Sequence, residues 1–221
     1  MVRPFRSGDL DAVAALARQT LVDDAPSLER LARDFLLDPG FKPEDLLIAE
    51  RLSRPAGFLL APRLRPPAPA DDDAKYRTRW IAGFGVHPEL RRQGIATALL
   101  RRALDSAAED GVERIDVADF PVRYLLPGID PVAHAAAHAL LVERFGFRLR
   151  DTVASMGIDP AKAPEGRQDG PPIRRLEPGE IPVVRDFLCG RFGWDWWLHM
   201  ARTLEARLAG AAIASDILVA W

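Results

Sequence analysis

The chain has 221 residues, 48% of them hydrophobic, a length between one domain and two with enough apolar content for a core. Its formal charge of −2, carried with 27 Arg against 3 Lys, gives no global basic field, so nucleic acid is excluded as an expected partner. No apolar stretch approaches the roughly 20 residues of a membrane span, no apolar leader follows Met1, and the single Cys189 has no internal disulfide partner, so a cytoplasmic protein with no membrane contact is expected.

Period-2 and period-3.6 patterns predict a strand at 2–6, helices at about 8–20 and 27–37, and a hairpin of strands at 46–51 and 56–61. A Pro- and Asp-rich loop at 62–77 leads into an apolar strand, Trp80 to Val86, closed by His87-Pro88. Then comes Arg91-Arg92-Gln93-Gly94-Ile95-Ala96, followed by Leu99, Leu100, Ala103 and Leu104 at helical spacing, a helix over 94–109. The order strand, basic glycine turn, helix is a place to hold a pyrophosphate. Gly94 removes a Cβ where phosphate oxygens approach the backbone, the first N–H groups of the helix and its dipole point at the anion, and Arg91 and Arg92 add forked donors. Neither a P-loop nor a Gly-x-Gly-x-x-Gly spacing occurs. Further on, Ile115 to Phe120 read as a short strand, 131–145 as a helix stopped by Gly146-Phe147, and 148–158 as another strand.

The chain then begins a second time. Val2 to Leu10 slide onto Ile173 to Ile181 at an offset of 171, Val13 falls on Val184, and Leu47-Ile48-Ala49 fall on Leu218-Val219-Ala220 at the same spacing, the mark of an internal repeat. Between the copies, 160–172 is rich in Pro and Gly and reads as a linker.

The string Val86-His87-Pro88-Glu89-Leu90-Arg91-Arg92-Gln93-Gly94-Ile95-Ala96 matches Arg/Gln-x-x-Gly-x-Gly/Ala at Arg91, Gly94 and Ala96. It resembles the acyl-CoA site of the GNAT superfamily of N-acetyltransferases, and the order of elements over residues 2–159 resembles the same fold. The resemblance implies a mixed α/β architecture, the GNAT acyl-CoA N-acyltransferase fold, in a domain over 1–159. It also implies a linker at 160–172 and a partial second GNAT-like domain of β-α-α-β order at 173–221, as in tandem members of the superfamily. The implied activity is transfer of acetyl from acetyl-CoA, a co-substrate, to a primary amine of a small molecule or peptide, by direct attack in a ternary complex and without a metal. Carried over by position, Phe84, Gly85 and Val86 would face pantetheine, and Arg91, Arg92, Gln93, Gly94, Ile95, Ala96 and Thr97 would surround the diphosphate.

For the chemistry, Asp119 is the first candidate for the base, with Asp116 and His87 behind it; each also has a structural reading, as a strand-end or turn residue. Family members often carry a tyrosine acid four residues before Gly-Phe and an asparagine seven residues earlier. Those positions are Val142 and Ala135 here. Tyr124 is the substitute acid, or else a packing residue. His134 and His138, spaced i, i+4, lack the other ligands of a zinc motif and read as helix-surface residues. Four of the five tryptophans, Trp194, Trp196, Trp197 and Trp221, fall in the last 28 residues, which suggests a homodimer through this segment. The other readings are a catalytically silent acyl-CoA-binding module and an interaction protein whose Trp-rich segment is its working surface.

Overall fold

A computed structural model of the chain describes residues 1–21, 26–38, 40–65, 74–118, 128–152, 171–208 and 218–220, and divides it into two compact units, Met1–Val153 and Ala154–Trp221. In the first unit, β1 (Val2–Pro4), β2 (Leu46–Arg51), β3 (Arg54–Leu60) and β5 (Gly83–Val86) form an antiparallel sheet in that order. A second pair, β4 (Thr78–Ile81) with β6 (Arg114–Val117), is parallel. The two sheets are joined along one line of chain. Ala82 separates β4 from β5, and its N–H donates to Leu60 O (2.9 Å), while Trp80 N–H donates to Pro62 O (3.1 Å) just past β3. The single strand expected over 80–86 is therefore two, because its first half takes β6 as a neighbour and its second half takes β3.

Alternation sorts the sheet into two faces. Leu47, Ala49, Leu59, Ala61 and Ile81 meet Leu99, Leu100 and Ala103 of α3 (Ile95–Glu109) in one buried cluster, with Leu141. On the opposite face α1 (Leu10–Thr20) buries Val13, Ala14, Leu16 and Ala17, an i, i+3, i+4 stripe, against β3 and β5. Gly85 makes that approach close: a Cβ there would lie 2.2 Å from Thr20 Oγ1 and 3.0 Å from Phe58 Cε1. Asp9 fixes the entry to α1, its carboxylate accepting Arg6 N–H (2.7 Å) and both terminal nitrogens of Arg3, which also reaches Glu50 on β2.

One ionic cluster is buried at the far end of the sheet. Arg79 on β4, 2% exposed, donates to Ser106 Oγ (3.2 Å) and Asp110 Oδ2 (3.4 Å), and lies 3.7 Å from Asp45, which pairs with Arg65. Burial pushes the Arg79 guanidinium below its ordinary pKa, against the pull of Asp45 and Asp110.

The helix expected at 27–37 is α2 (Leu28–Leu31), capped by Ser27, running straight into a π-helical turn at Ala32–Leu36. The helix expected at 131–145 starts later, as α4 (Ala135–Ala139), and also winds into a π turn, Leu140–Arg144. Residues 148–152 form no strand, contrary to expectation; the remainder of that expected strand and most of the expected linker lie outside the described residues.

The second unit pairs β7 (Ile173–Arg175) antiparallel with β8 (Leu218–Ala220) and carries α5 (Ile181–Arg191) and α6 (Trp194–Leu208). β7, the one-turn 3-10 helix Pro178–Glu180 and α5 each begin 171 residues after β1, Ser7–Asp9 and α1. The strand register shifts by the same 171: Val2↔Ala49, Arg3↔Ile48 and Pro4↔Leu47 become Ile173↔Ala220, Arg174↔Val219 and Arg175↔Leu218. Glu180 stands where Asp9 does, accepting Glu177 N–H (3.0 Å) and the Arg174 guanidinium.

Candidate active site

The parallel pairing of β4 with β6 ends at Ile81 and Val117, where Ala118 N–H donates to Ile81 O (2.8 Å). Beyond that point β5 follows β3. Ala118, buried where the pairing with β4 ends, has φ 62°, a left-handed conformation that costs a non-glycine residue on the order of 1 kcal/mol and persists only where its surroundings enforce it. A cleft of about 940 Å³ opens there, walled by β5, Ala118, the start of α3, the segment from Gly128, and α4 with its π turn.

At the mouth of this cleft lies the basic glycine turn. After a 3-10 turn at Pro88–Leu90, Arg92 (φ 63°) and Gly94 (φ 80°) are both left-handed. Alternation of this kind turns successive N–H groups toward one side, an anion-binding concavity. The first intrahelical bond of α3 is Ala98 N–H to Gly94 O (2.9 Å), so the N–H groups of Ile95, Ala96 and Thr97 precede it and are available to a ligand. A Cβ on Gly94 would meet nothing within 4 Å. The positive φ, and not crowding by the protein itself, is what the structure asks of glycine here, and the space beside it is open.

Of the residues nominated for the cofactor, Phe84, Gly85, Val86, Arg91, Arg92, Gly94, Ile95, Ala96 and Thr97 line the cleft. Gln93 does not: its side chain takes the Arg51 guanidinium on its Oε1 and donates to Glu89 O (3.5 Å), tying the turn to the β2–β3 hairpin. Gly85 lines the cleft with its backbone, the direction of its missing Cβ being taken by Thr20 and Phe58. Arg91 Nε donates to Val86 O (3.3 Å), fixing the guanidinium at the end of β5.

Asp119 and Tyr124 lie outside the described residues. Asp116 is held by Arg114 (3.1 Å) and Arg150 (3.0 Å), and neither it nor His87 is among the cleft-lining residues. Ala135 lines the cleft and Val142 does not; Glu143, its neighbour, does. Val142 and Glu143 both lie within the π turn, Leu140–Arg144. His134, read as a surface residue, also lines the cleft. It is set there by Asp130, whose carbonyl accepts His134 N–H (2.9 Å) and whose Oδ1 accepts Ala133 N–H (3.0 Å) and Val132 N–H (2.7 Å), bonds that hold the Asp130 carboxyl below its ordinary pKa. Nothing in the sequence pattern separates His134 and Glu143 from other helix-surface residues. Among the described residues no group of three or more His, Cys, Asp or Glu gathers as a metal site, and no helix is long and apolar enough to cross a membrane.

Solved structures share this fold. The ribosomal-protein-S18-alanine N-acetyltransferase from Escherichia coli superposes with TM-score 0.51 at 18% identity, over 68% of this chain and 79% of that one. A transcriptional regulator from Bacillus halodurans C-125 gives 0.51 at 19% identity, over 72% and 99%. A predicted acetyltransferase with acetyl-CoA from Clostridium acetobutylicum gives 0.50 at 17%, over 71% and 95%. At these identities the likeness is one of fold. No curated protein matches the chain. The model of the acetyltransferase (GNAT) family matches residues 13–126, more than half of the chain, from within α1 through the basic glycine turn and past β6, and the chain belongs to that family.

Proposed function

We propose that this protein is an N-acetyltransferase that moves acetyl from acetyl-CoA to a primary amine, with the amine attacking directly while both substrates are bound. The observation that carries this reading is the turn at 91–97: two left-handed residues and three N–H groups of α3 ahead of its first hydrogen bond, at a cleft that reaches back to the end of the β4–β6 pairing at Ala118. Three donors, the positive end of a 15-residue helix and two arginines suit a diphosphate, and the open space at Gly94 admits its oxygens to the backbone. The cleft has the backbone of β5 along it and the apolar walls Phe84, Ile129 and Leu140, which suits an extended amide-bearing arm.

Acetyl-CoA supplies an activated thioester, whose thiol has a pKa near ~8.5 and leaves readily. The chain's part is to orient the acyl group, exclude water and take a proton from the incoming ammonium, because an alkyl amine of pKa ~10.4 is almost wholly protonated at neutral pH. Asp119, the residue following Ala118, is the proposed base and Tyr124 the proposed acid. His134 and Glu143, which line the cleft, are the titratable alternatives if neither serves.

A second reading has a specific observation behind it: a methyl at Ala135 and an apolar Val142 occupy the positions where relatives keep polar groups, as a silent acyl-CoA-binding module would. Two measurements separate them. Calorimetric titration with acetyl-CoA should show binding that Gly94→Asp weakens by more than tenfold, since the carboxylate brings bulk and like charge to the diphosphate; equal affinity in the variant removes the site. Thiol release with a panel of amines should then show turnover that Asp119→Asn lowers without changing acetyl-CoA affinity. Binding with no release for any amine leaves the silent module standing.

A further inference from the structure

We infer that Arg51 and Arg54, at the tip of the β2–β3 hairpin, receive the third phosphate of the cofactor, the monoester on its ribose, so that the protein tells acetyl-CoA from its 3′-dephospho form. The inference rests on the acetyl-CoA reading proposed above and adds to it two residues outside the cleft.

The hairpin places both guanidinium groups on one side. Arg51 and Arg54 are directly opposite partners, the last pair before the turn, and partners across an antiparallel ladder share a face. The Arg51 guanidinium donates to Gln93 Oε1, so that face is the one on which the basic glycine turn lies. Gly57, further along β3, lets the strand lie close under the head of α3: a Cβ there would stand 3.0 Å from Cγ2 of Ile95, the first residue of α3, and 3.4 Å from Leu99 Cδ1. Leu52 (φ 49°) and Ser53 (φ 60°) join the strands with both positions left-handed, the tight two-residue turn that follows the strand twist, and it keeps the two arginines opposite each other.

Charge supplies the reason to look for an anion. Like charges directly opposite on a ladder repel, and no carboxylate relieves them. Arg3, Arg65 and Arg79 each reach a carboxylate, whereas among the described residues Arg51, Arg54, Arg91 and Arg92, all exposed, form no ion pair. Glu50 is held by Arg3, and Glu89 is the one carboxylate between His87 and Thr97. A diphosphate bridge carries one charge on each phosphorus, which Arg91 and Arg92, both lining the cleft, answer in number. Arg51 and Arg54 stand outside the cleft and are left over. The remaining anion of the cofactor is a phosphate monoester, with about 1.5 to 2 negative charges near neutral pH and three acceptor oxygens, a group that two guanidinium forks suit. In the free protein Arg51 donates to a neutral amide, a weaker partner than a phosphate, so the contact is readily exchanged.

Calorimetric titration at low ionic strength with acetyl-CoA and with its 3′-dephospho form tests this. The parent should bind acetyl-CoA about tenfold more tightly, a modest ratio because the contact faces water, and the ratio should close as salt is raised. In the double variant Arg51→Gln/Arg54→Gln the ratio should fall to within about twofold through loss of affinity for acetyl-CoA alone. Arg18→Gln, which removes an exposed guanidinium from α1 across the sheet, should keep the parent's ratio. Equal affinity of the parent for the two forms overturns the inference and leaves the acetyl-transfer reading intact, as does a double variant that loses affinity for both forms alike. Failure of either form to bind at all overturns both. Should the double variant not fold, Arg54→Gln is read in its place, since its side chain has no partner to lose among the described residues: a lowered ratio supports the inference and the parent's ratio refutes it.

Discussion

In the first unit the Arg3 guanidinium bonds to Asp9 and to Glu50, and all three side chains are at most one fifth exposed. In the second unit Arg174 makes the matching bond to Glu180 with 43% of its side chain in solvent, and the residue in the position of Glu50 is Trp221. The same contrast runs through the apolar positions: Leu47 lies under α3 at 3% exposure, whereas Leu218, its counterpart, is 60% exposed. Backbone conformation at the cap, helix and strand pair is thus reproduced by a short local pattern, an arginine on the strand with a carboxylate six residues later at the head of a helix. Burial is not reproduced, because it depends on strands and helices brought from elsewhere in the chain. One local sequence thus builds a core in one unit and an exposed face in the other.

The sharpest way to break this comparison is to delete the same helix side chain in both units. Leu16→Ala should cost the first unit about 3 kcal/mol, the transfer and cavity cost of a buried leucine. Phe187→Ala, at the equivalent position, should cost the second unit under about 1 kcal/mol in dilute solution, since little of its ring leaves water on folding. Amide exchange followed separately in α1 and α5 reads both. Equal losses would mean that α5 is as well covered as α1.

The ionic pair gives a smaller effect in the same direction. Arg3→Ala strands two carboxylates, one of them at the head of α1, and should lower the denaturation midpoint of the first unit by an amount equivalent to about 2 kcal/mol, in line with removing a partly buried, hydrogen-bonded ion. Arg174→Ala removes a guanidinium that is itself 43% in solvent, and should lower the second unit's midpoint by less than Arg3→Ala lowers the first's. A midpoint that drops equally in both would show that the cap itself, not its burial, carries the stability.

The same division decides what was legible in the sequence. The basic turn, the start of α3 and the two helix stripes follow from residue type and period, and so they stand where the pattern puts them; Gly94 was legible because a left-handed φ is the one conformation that singles out glycine. Arg92 and Ala118 share that conformation without being glycine, so residue type does not reveal it at either. The division of 80–86 at Ala82 depends on which neighbour each half finds, which periodicity does not encode. The two π turns are likewise silent in sequence, and within the second it is Glu143, not Val142, that lines the cleft. The offset of 171 is legible in the sequence, and the pairing registers of β1 with β2 and of β7 with β8 differ by the same number.

Acid sharpens the comparison most gently. The Arg3 guanidinium, with the Arg6 N–H adding to it, holds the Asp9 carboxyl below its ordinary value of 3.8, against the opposing effect of burial. A carboxyl that is more acidic folded than unfolded stabilises the fold fully above its unfolded value; as pH falls from 3.8 through the lower folded value, the unfolded chain takes up the proton first and that stability drains away. The first unit should therefore begin to lose stability below about pH 3.8, and in Arg3→Ala that acid-dependent loss should shrink, because the folded and unfolded values draw together. Carbon-detected titration of the Asp9 carboxyl measures this directly. The expected midpoint lies below 3.8 in the parent and moves up toward 3.8 in Arg3→Ala; a parent midpoint already at 3.8 would mean that the Arg3 contact holds no proton away from Asp9, and that the cap of the first unit differs from that of the second in exposure alone.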